Sequence, residues 1–154
     1  SNINLEEMKK RHNDNRGKAH SILATFDTED HQNVGITISK NDLIVDYFQK
    51  CSTKMGSTGN GAVFILDQPA LQQIRNSDWW DLSDDFIPAN LGKILQFKHV
   101  GTHIDIGSLP SLIAANKLKT IPRDELIQDP GVQYVQSLPD FRSIVDWVSN
   151  ENIQ

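Results

Sequence analysis

The sequence has a single cysteine, Cys51, among 154 residues, which excludes an internal disulfide framework. With no charged-then-apolar leader at its start, the expected setting is a reducing, cytoplasmic one. No apolar run approaches the roughly 20 residues that cross a bilayer, so no membrane partner is expected. Basic residues are few and scattered. With 15 Lys and Arg against 20 Asp and Glu, the formal net charge is -5, which argues against a grip on nucleic-acid phosphates. The five histidines, His12, His20, His31, His99 and His103, show no ligand spacing such as H-E-x-x-H, so no zinc site is expected. No hexapeptide period announces a left-handed β-helix. The loop Gly56-Ser-Thr-Gly-Asn-Gly61 lacks the Gly-Lys-Ser/Thr of a phosphate-cradling loop and reads as a flexible connector.

What remains is a chain able to bury roughly 70% of its unfolded surface, with hydrophobic residues at 38% and charged residues at 23%. Leu5 to Asn15 reads as an amphipathic helix, acids first and bases later, as the helix dipole favours. His20 to Phe26 is rich in strand formers. Val34 to Ile38 and Leu43 to Phe48 flank the polar turn Ser39-Lys-Asn-Asp42, which predicts a hairpin. Ala62 to Leu66 predicts a further strand, and Pro69 opens a short helix through Ile74. Ser83 is the natural N-cap of another helix, with Asp84 and Asp85 in its first turn, though Pro88 limits its regularity. Ile94 to His99 is a strand. Thr102 to Ile104 reads as a short strand ending at Asp105, followed by a helix from the Gly107-Ser108-Pro110 turn to about Lys119. Beyond it the prolines break the chain into short pieces, and Phe141 to Val148 give one amphipathic helix.

Four segments, in order, resemble the second half of the sugar-phosphate nucleotidylyltransferase family. Val34-Gly-Ile-Thr-Ile38 with Tyr47-Phe-Gln-Lys50 resembles the family's Y-G-V-V strand and F-x-E-K segment. Asn60-Gly-Ala-Val-Phe64 is similar to N-x-G-[IV]-Y, and Asp81-Leu-Ser-Asp-Asp-Phe-Ile-Pro88 to D-L-S-x-D-x-x-P. The most specific is Gly101-Thr-His-Ile-Asp105-Ile-Gly107 continuing to Asn116, which resembles G-x-x-x-D-I-G-T-P-x-x-Y-x-x-A-N. Thr102 and His103 stand where that motif commonly has aromatic residues. The likeness is greatest to the short guanylyltransferases acting on heptose or mannose 1-phosphate.

The resemblance implies an α/β fold: the C-terminal part of a Rossmann-like, GT-A-like nucleotidyltransferase domain, three-layered, with a mixed sheet and no β-helix domain. It covers about residues 3–119, leaving 120–154 as a helical tail. The family reaction joins a sugar 1-phosphate to a nucleoside triphosphate with loss of pyrophosphate. Bringing two anionic phosphates together calls for a divalent cation, commonly Mg2+. Asp105 matches a metal-binding carboxylate of the family; taken without the motif it reads first as the cap of the helix that follows Gly107. Lys50 matches the lysine that neutralises the sugar phosphate, a role that suits a flexible point charge, where a lysine after an apolar strand is otherwise solvated. Gln49 stands where the family has a sugar-binding glutamate, and Cys51 where it has proline. Asn60 is expected to bind sugar hydroxyls or to serve a turn; Gly35 admits close approach of a ring or marks a bulge. Trp79 and Trp80 are expected to pack on the sheet, and Cys51 reads as an inert thiol.

The family's G-x-G-x-R-L-x-P loop, which holds the triphosphate, does not occur in the sequence. The 154 residues alone are therefore expected to be inactive, with sugar 1-phosphate and nucleoside triphosphate as partners of a complete enzyme. The alternative is a non-catalytic sugar-phosphate-binding or regulatory subunit. A sheet cut in half is also expected to self-associate through an exposed strand edge.

Overall fold

The computed structural model describes residues 3–107, 109–116 and 137. Contacts divide the chain into two units, 3–103 and a second beginning at Ile104. The boundary expected at 119/120 and the helix expected from Phe141 lie outside the described residues, as does all else in the tail but Ser137.

The first unit begins with α1 (Leu5–Asp14), whose N-cap Asn4 accepts a hydrogen bond from the Glu7 amide at 3.0 Å. Five strands follow: β1 (Ser21–Asp27), β2 (Ile36–Lys40), β3 (Leu43–Phe48), β4 (Thr58–Leu66) and β5 (Ile94–Lys98). Between β4 and β5 lie α2 (Gln68–Arg75) and α3 (Ile87–Ala89), the latter preceded by a π-helical turn, Leu82–Phe86. Asp67 caps α2 through the Ala70 amide, and Pro69 sits in its first turn where no amide hydrogen is needed.

The sheet is mixed, as expected. β1 runs antiparallel to β4 and parallel to β5, and β2 pairs antiparallel with both β3 and β4. β2 and β3 form a two-residue hairpin whose turn residues, Asn41 and Asp42, have φ of 52° and 65°. Two left-handed residues in succession match the twist of the strands, and Asn and Asp tolerate that conformation.

Helices cover both faces of the central strands. Met8 of α1 packs with Ile22, Ala24, Leu95 and Phe97 on one side. Leu23, Ile44 and Ile94 face Ala70, Phe86 and Ile87 on the other. The alternation of Ile22, Leu23 and Ala24 between the two clusters is the period-two pattern of a strand buried on both faces.

Three expectations need correction. The expected open strand edge is largely closed, because the sheet bends into a ring in which β3 also pairs with β5 at Leu43 and Leu95. The Gln96 amide donates to the Asp42 carbonyl and the Gly92 amide to that of Ile44, each at 2.7 Å, so the β5 edge is engaged at its start. A template for edge-to-edge association is correspondingly smaller.

The Gly56–Gly61 stretch is no mere connector, since β4 begins at Thr58 and takes in Gly59, Asn60 and Gly61. The glycines permit close packing: a Cβ at Gly61 would lie 2.7 Å from the Ala24 carbonyl oxygen, and one at Gly59 2.9 Å from methyl groups of Thr28 and Val34. Thr102 to Ile104, lastly, is not a strand. The chain leaves β5 after the His99 amide bonds to the Thr25 carbonyl at 2.7 Å, and His103 stacks on Phe26 with ring centroids 4.0 Å apart.

The second unit, among its described residues, contains α4 (Leu109–Asn116). Among the described residues no helix is long and apolar enough to cross a membrane.

Candidate functional site

Gly35 immediately precedes β2, Gln49 and Lys50 immediately follow β3, and Asn60 lies in β4. Pairing β2 between β3 and β4 brings these ends together: Ile36 is opposite Phe48 on one side and Gly59 on the other. The Asn60 amide donates to the Gly35 carbonyl at 2.8 Å, which ties the third segment to the first.

Gly35 is buried because Tyr47 and Gln49 lie over it. A Cβ there would fall 2.0 Å from Tyr47 Oη and 2.7 Å from Gln49 Oε1, so any side chain at this position would displace both. The glycine is thus required for close approach, though what approaches is this chain's own phenol and amide. Tyr47 Oη donates to Gln49 Oε1 at 2.6 Å.

Asn60 is presented by a β-bulge. The β1–β4 register slips between Leu23 and Thr25, and Ala62, inside the slip, takes a left-handed φ of 55°. Asn60 Oδ1 accepts from the Ala62 amide at 2.8 Å, which fixes the side chain's orientation. Its Nδ2 then points at Ser83 Oγ, 3.2 Å away, and at Tyr47 Oη, 3.4 Å away. One hydrogen-bonded chain therefore runs through Ser83, Asn60, Tyr47 and Gln49.

Ser83 is available to this chain because it is not the helix cap expected from the sequence. Asp81 holds that position, its Oδ1 accepting from the amides of Ser83 at 2.6 Å and Asp84 at 3.0 Å. Asp85 Oδ2 reaches back to the amides of Trp80 and Asp81 at 2.9 and 3.0 Å. Hydrogen bonds from the Asp81 and Trp80 amides hold the Asp85 carboxyl below its usual range. Trp79 packs edge-on against Phe86 as expected, whereas its neighbour Trp80 is 97% exposed.

Lys50 is exposed and forms no ion pair among the described residues. Its φ of 47° is uncommon for a long side chain and marks a constrained backbone at the end of β3. Cys51, next to it, is a free thiol, half-buried.

The sequence-predicted residues Gly35, Gln49 and Asn60 therefore converge, with Lys50 covalently adjacent to the cluster but outside its hydrogen bonds. Tyr47 and Ser83 were not singled out by the sequence. Tyr47 occupies the aromatic position of the F-x-E-K segment, where phenylalanine carries no hydroxyl, and that difference was its available signal. Ser83 was concealed by its suitability as a cap.

Asp105 belongs to the second unit. It is exposed, and its Oδ1 accepts from the Gly107 amide at 3.1 Å in a local turn. Among the described residues no group of three His, Cys, Asp or Glu side chains is gathered where a metal ion could be held. One turn-engaged carboxylate is short of the donor set that Mg2+ requires, so the described residues do not by themselves fit the ion.

No family model and no curated protein matches the chain. Its fold does match solved structures, and the class it shares with them is a mixed α/β fold of one sheet with helices. One of them is a protein from Bacillus anthracis assigned as a glucose-1-phosphate thymidylyltransferase, crystallised in complex with sucrose. The two align at a TM-score of 0.65 and 15% identity, covering 78% of this chain and 51% of that one. The chain spans about half the length of that protein, and at this identity the likeness is one of fold.

Proposed function

We propose that this chain supplies the sugar-phosphate side of a sugar-1-phosphate nucleotidylyltransferase. The observation that carries the reading is the convergence of Gly35, Gln49 and Asn60, from three separate segments, into one polar cluster beside Lys50. The fold shared with a thymidylyltransferase-like protein, and the sucrose bound to that protein, support it.

In this reading Gln49 and Asn60 orient the sugar, and the Lys50 ammonium neutralises its phosphate as a point charge. Asp105 is the carboxylate this chain offers toward Mg2+, and no step is assigned to it. Orientation of two reactants accounts for much of the barrier lowering available to a transferase, and it needs only fixed polar groups. The complete reaction is transfer of a nucleotidyl group to a heptose or mannose 1-phosphate, with guanosine as the expected nucleoside. The 154 residues by themselves are expected to release negligible pyrophosphate from any nucleoside triphosphate.

Isothermal titration calorimetry with mannose 1-phosphate and with GTP tests the assignment. Saturable heat with the sugar phosphate and none with the nucleotide is the expected result. Absence of sugar-phosphate binding, or binding that survives replacement of Lys50 by alanine unchanged, contradicts it.

A further inference from the structure

Asn60 is followed by glycine, the one Asn-Gly pair in the sequence. A glycine nitrogen carries no side chain to shield it, and it is the least hindered backbone nucleophile that the preceding carboxamide can meet. The fold does not let the chain escape the pairing. A Cβ at Gly61 would lie 2.7 Å from the Ala24 carbonyl oxygen and 3.3 Å from its carbon, and both are backbone atoms. Against this liability the Asn60 carboxamide is held at both ends. Oδ1 accepts from the Ala62 amide at 2.8 Å, while Nδ2 donates to Ser83 Oγ at 3.2 Å and to Tyr47 Oη at 3.4 Å. Oδ1 is thus tied to the nitrogen one residue beyond Gly61, in a bulge where Ala62 has a φ of 55°. Attack on Cγ would make that carbon tetrahedral and expel Nδ2, so the bonds made by Nδ2 have to be given up first.

We infer that Asn60 is a site of spontaneous modification, hydrolytic deamidation through the Gly61 nitrogen, and that Ser83 and Tyr47 hold it off by occupying the leaving amide. In the reaction the Gly61 nitrogen gives its proton to solvent and bonds to Asn60 Cγ. The Cγ–Nδ2 bond breaks, and ammonia departs with a proton taken from water, leaving a cyclic imide. Water then opens either C–N bond of the ring, to aspartate or isoaspartate. One water is consumed and one ammonia released, with no change of oxidation state. The product disarms the cluster. A carboxylate at position 60 can only accept, so it draws the Ser83 and Tyr47 protons toward itself and takes from Gln49 the phenolic proton now donated at 2.6 Å. Isoaspartate goes further, adding a methylene to the backbone of β4 at its bulge. The inference stands apart from the sugar-phosphate reading, since it needs no ligand.

The test incubates the 154-residue chain at mildly alkaline pH, folded and in concentrated urea, and follows aspartate and isoaspartate at position 60 by peptide mapping. Asn76, exposed and followed by Ser77, is the internal reference. In urea Asn60 is expected to convert faster than Asn76. In the folded chain its rate is expected to fall at least about tenfold, because the carboxamide reacts only when its hydrogen bonds open. Ser83→Ala and Tyr47→Phe each remove an acceptor of Nδ2 and are expected to speed conversion at Asn60 several-fold, with Asn76 unmoved. Asp67→Ala, which removes the cap of α2 outside the cluster, is the control for general loss of stability and is expected to leave the Asn60 rate nearly unchanged. Three results overturn the inference: a rate at Asn60 no higher than at Asn76 in urea, equal Asn60 rates folded and unfolded, or acceleration by Asp67→Ala as large as that by Ser83→Ala and Tyr47→Phe.

Discussion

The Tyr47 hydroxyl sits 2.6 Å from Gln49 Oε1, and both atoms lie where a side chain on Gly35 would have to be. Three of the residues expected to meet a ligand are thus held in place by one phenol.

Gly35→Ala is expected to be among the most disruptive single changes in the cluster. Its Cβ would collide with Tyr47 Oη and Cζ, at 2.0 and 2.6 Å, and Tyr47 must leave. Overpacking of this kind costs roughly 1–3 kcal/mol. Thermal denaturation should show the loss, and titration calorimetry should show sugar-phosphate binding abolished. An alanine variant with unchanged stability and binding contradicts the arrangement.

Asp81 and Ser83 should separate cleanly. Asp81→Ala removes the cap of the π-helical turn and is expected to destabilise the chain by about 1 kcal/mol with ligand affinity preserved. Ser83→Ala leaves the cap intact but deprives Asn60 Nδ2 of its 3.2 Å partner, so it should weaken binding more than it lowers the melting temperature. The reverse pattern would return Ser83 to the capping role suggested by the sequence.

Lys50 offers a trade of stability against binding. Its left-handed backbone costs an L-residue roughly 1 kcal/mol that glycine does not bear. Lys50→Gly is therefore expected to keep or raise the melting temperature while weakening sugar-phosphate affinity about tenfold or more. A drop in stability would show that the side chain packs, and unchanged affinity would remove it from the site.

His12 predicts a pH dependence. It is buried, its Nδ1 has no partner among the described residues, and burial lowers its pKa, with Asp67 opposing and Arg16 adding to the shift. A histidine held neutral in the fold binds fewer protons than the unfolded chain below about pH 6.5, so stability falls as the pH drops through that value toward the folded pKa. Melting temperatures at pH 7.5 and 5.5 check this. His12→Gln should flatten the difference.

Much of this was legible in the sequence because local rules and tertiary packing agree there. The strand over His20 to Phe26, the hairpin around Ser39 to Asp42 and the Pro69 helix start all read directly. The misreadings fall where tertiary contacts overrode local preference. Gly59 and Gly61 look like loop residues, yet they are small so that strands can close over Ala24, Thr28 and Val34. Ser83 looks like a cap, yet Asp81 two residues earlier captures the same amides. Ring closure at Leu43 and Leu95 leaves no pattern in composition or period, because a single pairing decides it. The hydrogen-bonded chain of Ser83, Asn60, Tyr47 and Gln49 was invisible for the same reason: only the fold brings these residues together.

The most direct test of the account is an amide-resolved NMR titration of the chain with a sugar 1-phosphate. The account predicts saturable shifts concentrated at Gly35, Gln49, Lys50 and Asn60, together with the Gln49 side-chain amide protons, and little change in α1 or α2. Shifts that fail to saturate, or that cluster away from the β2, β3 and β4 junction, would contradict it.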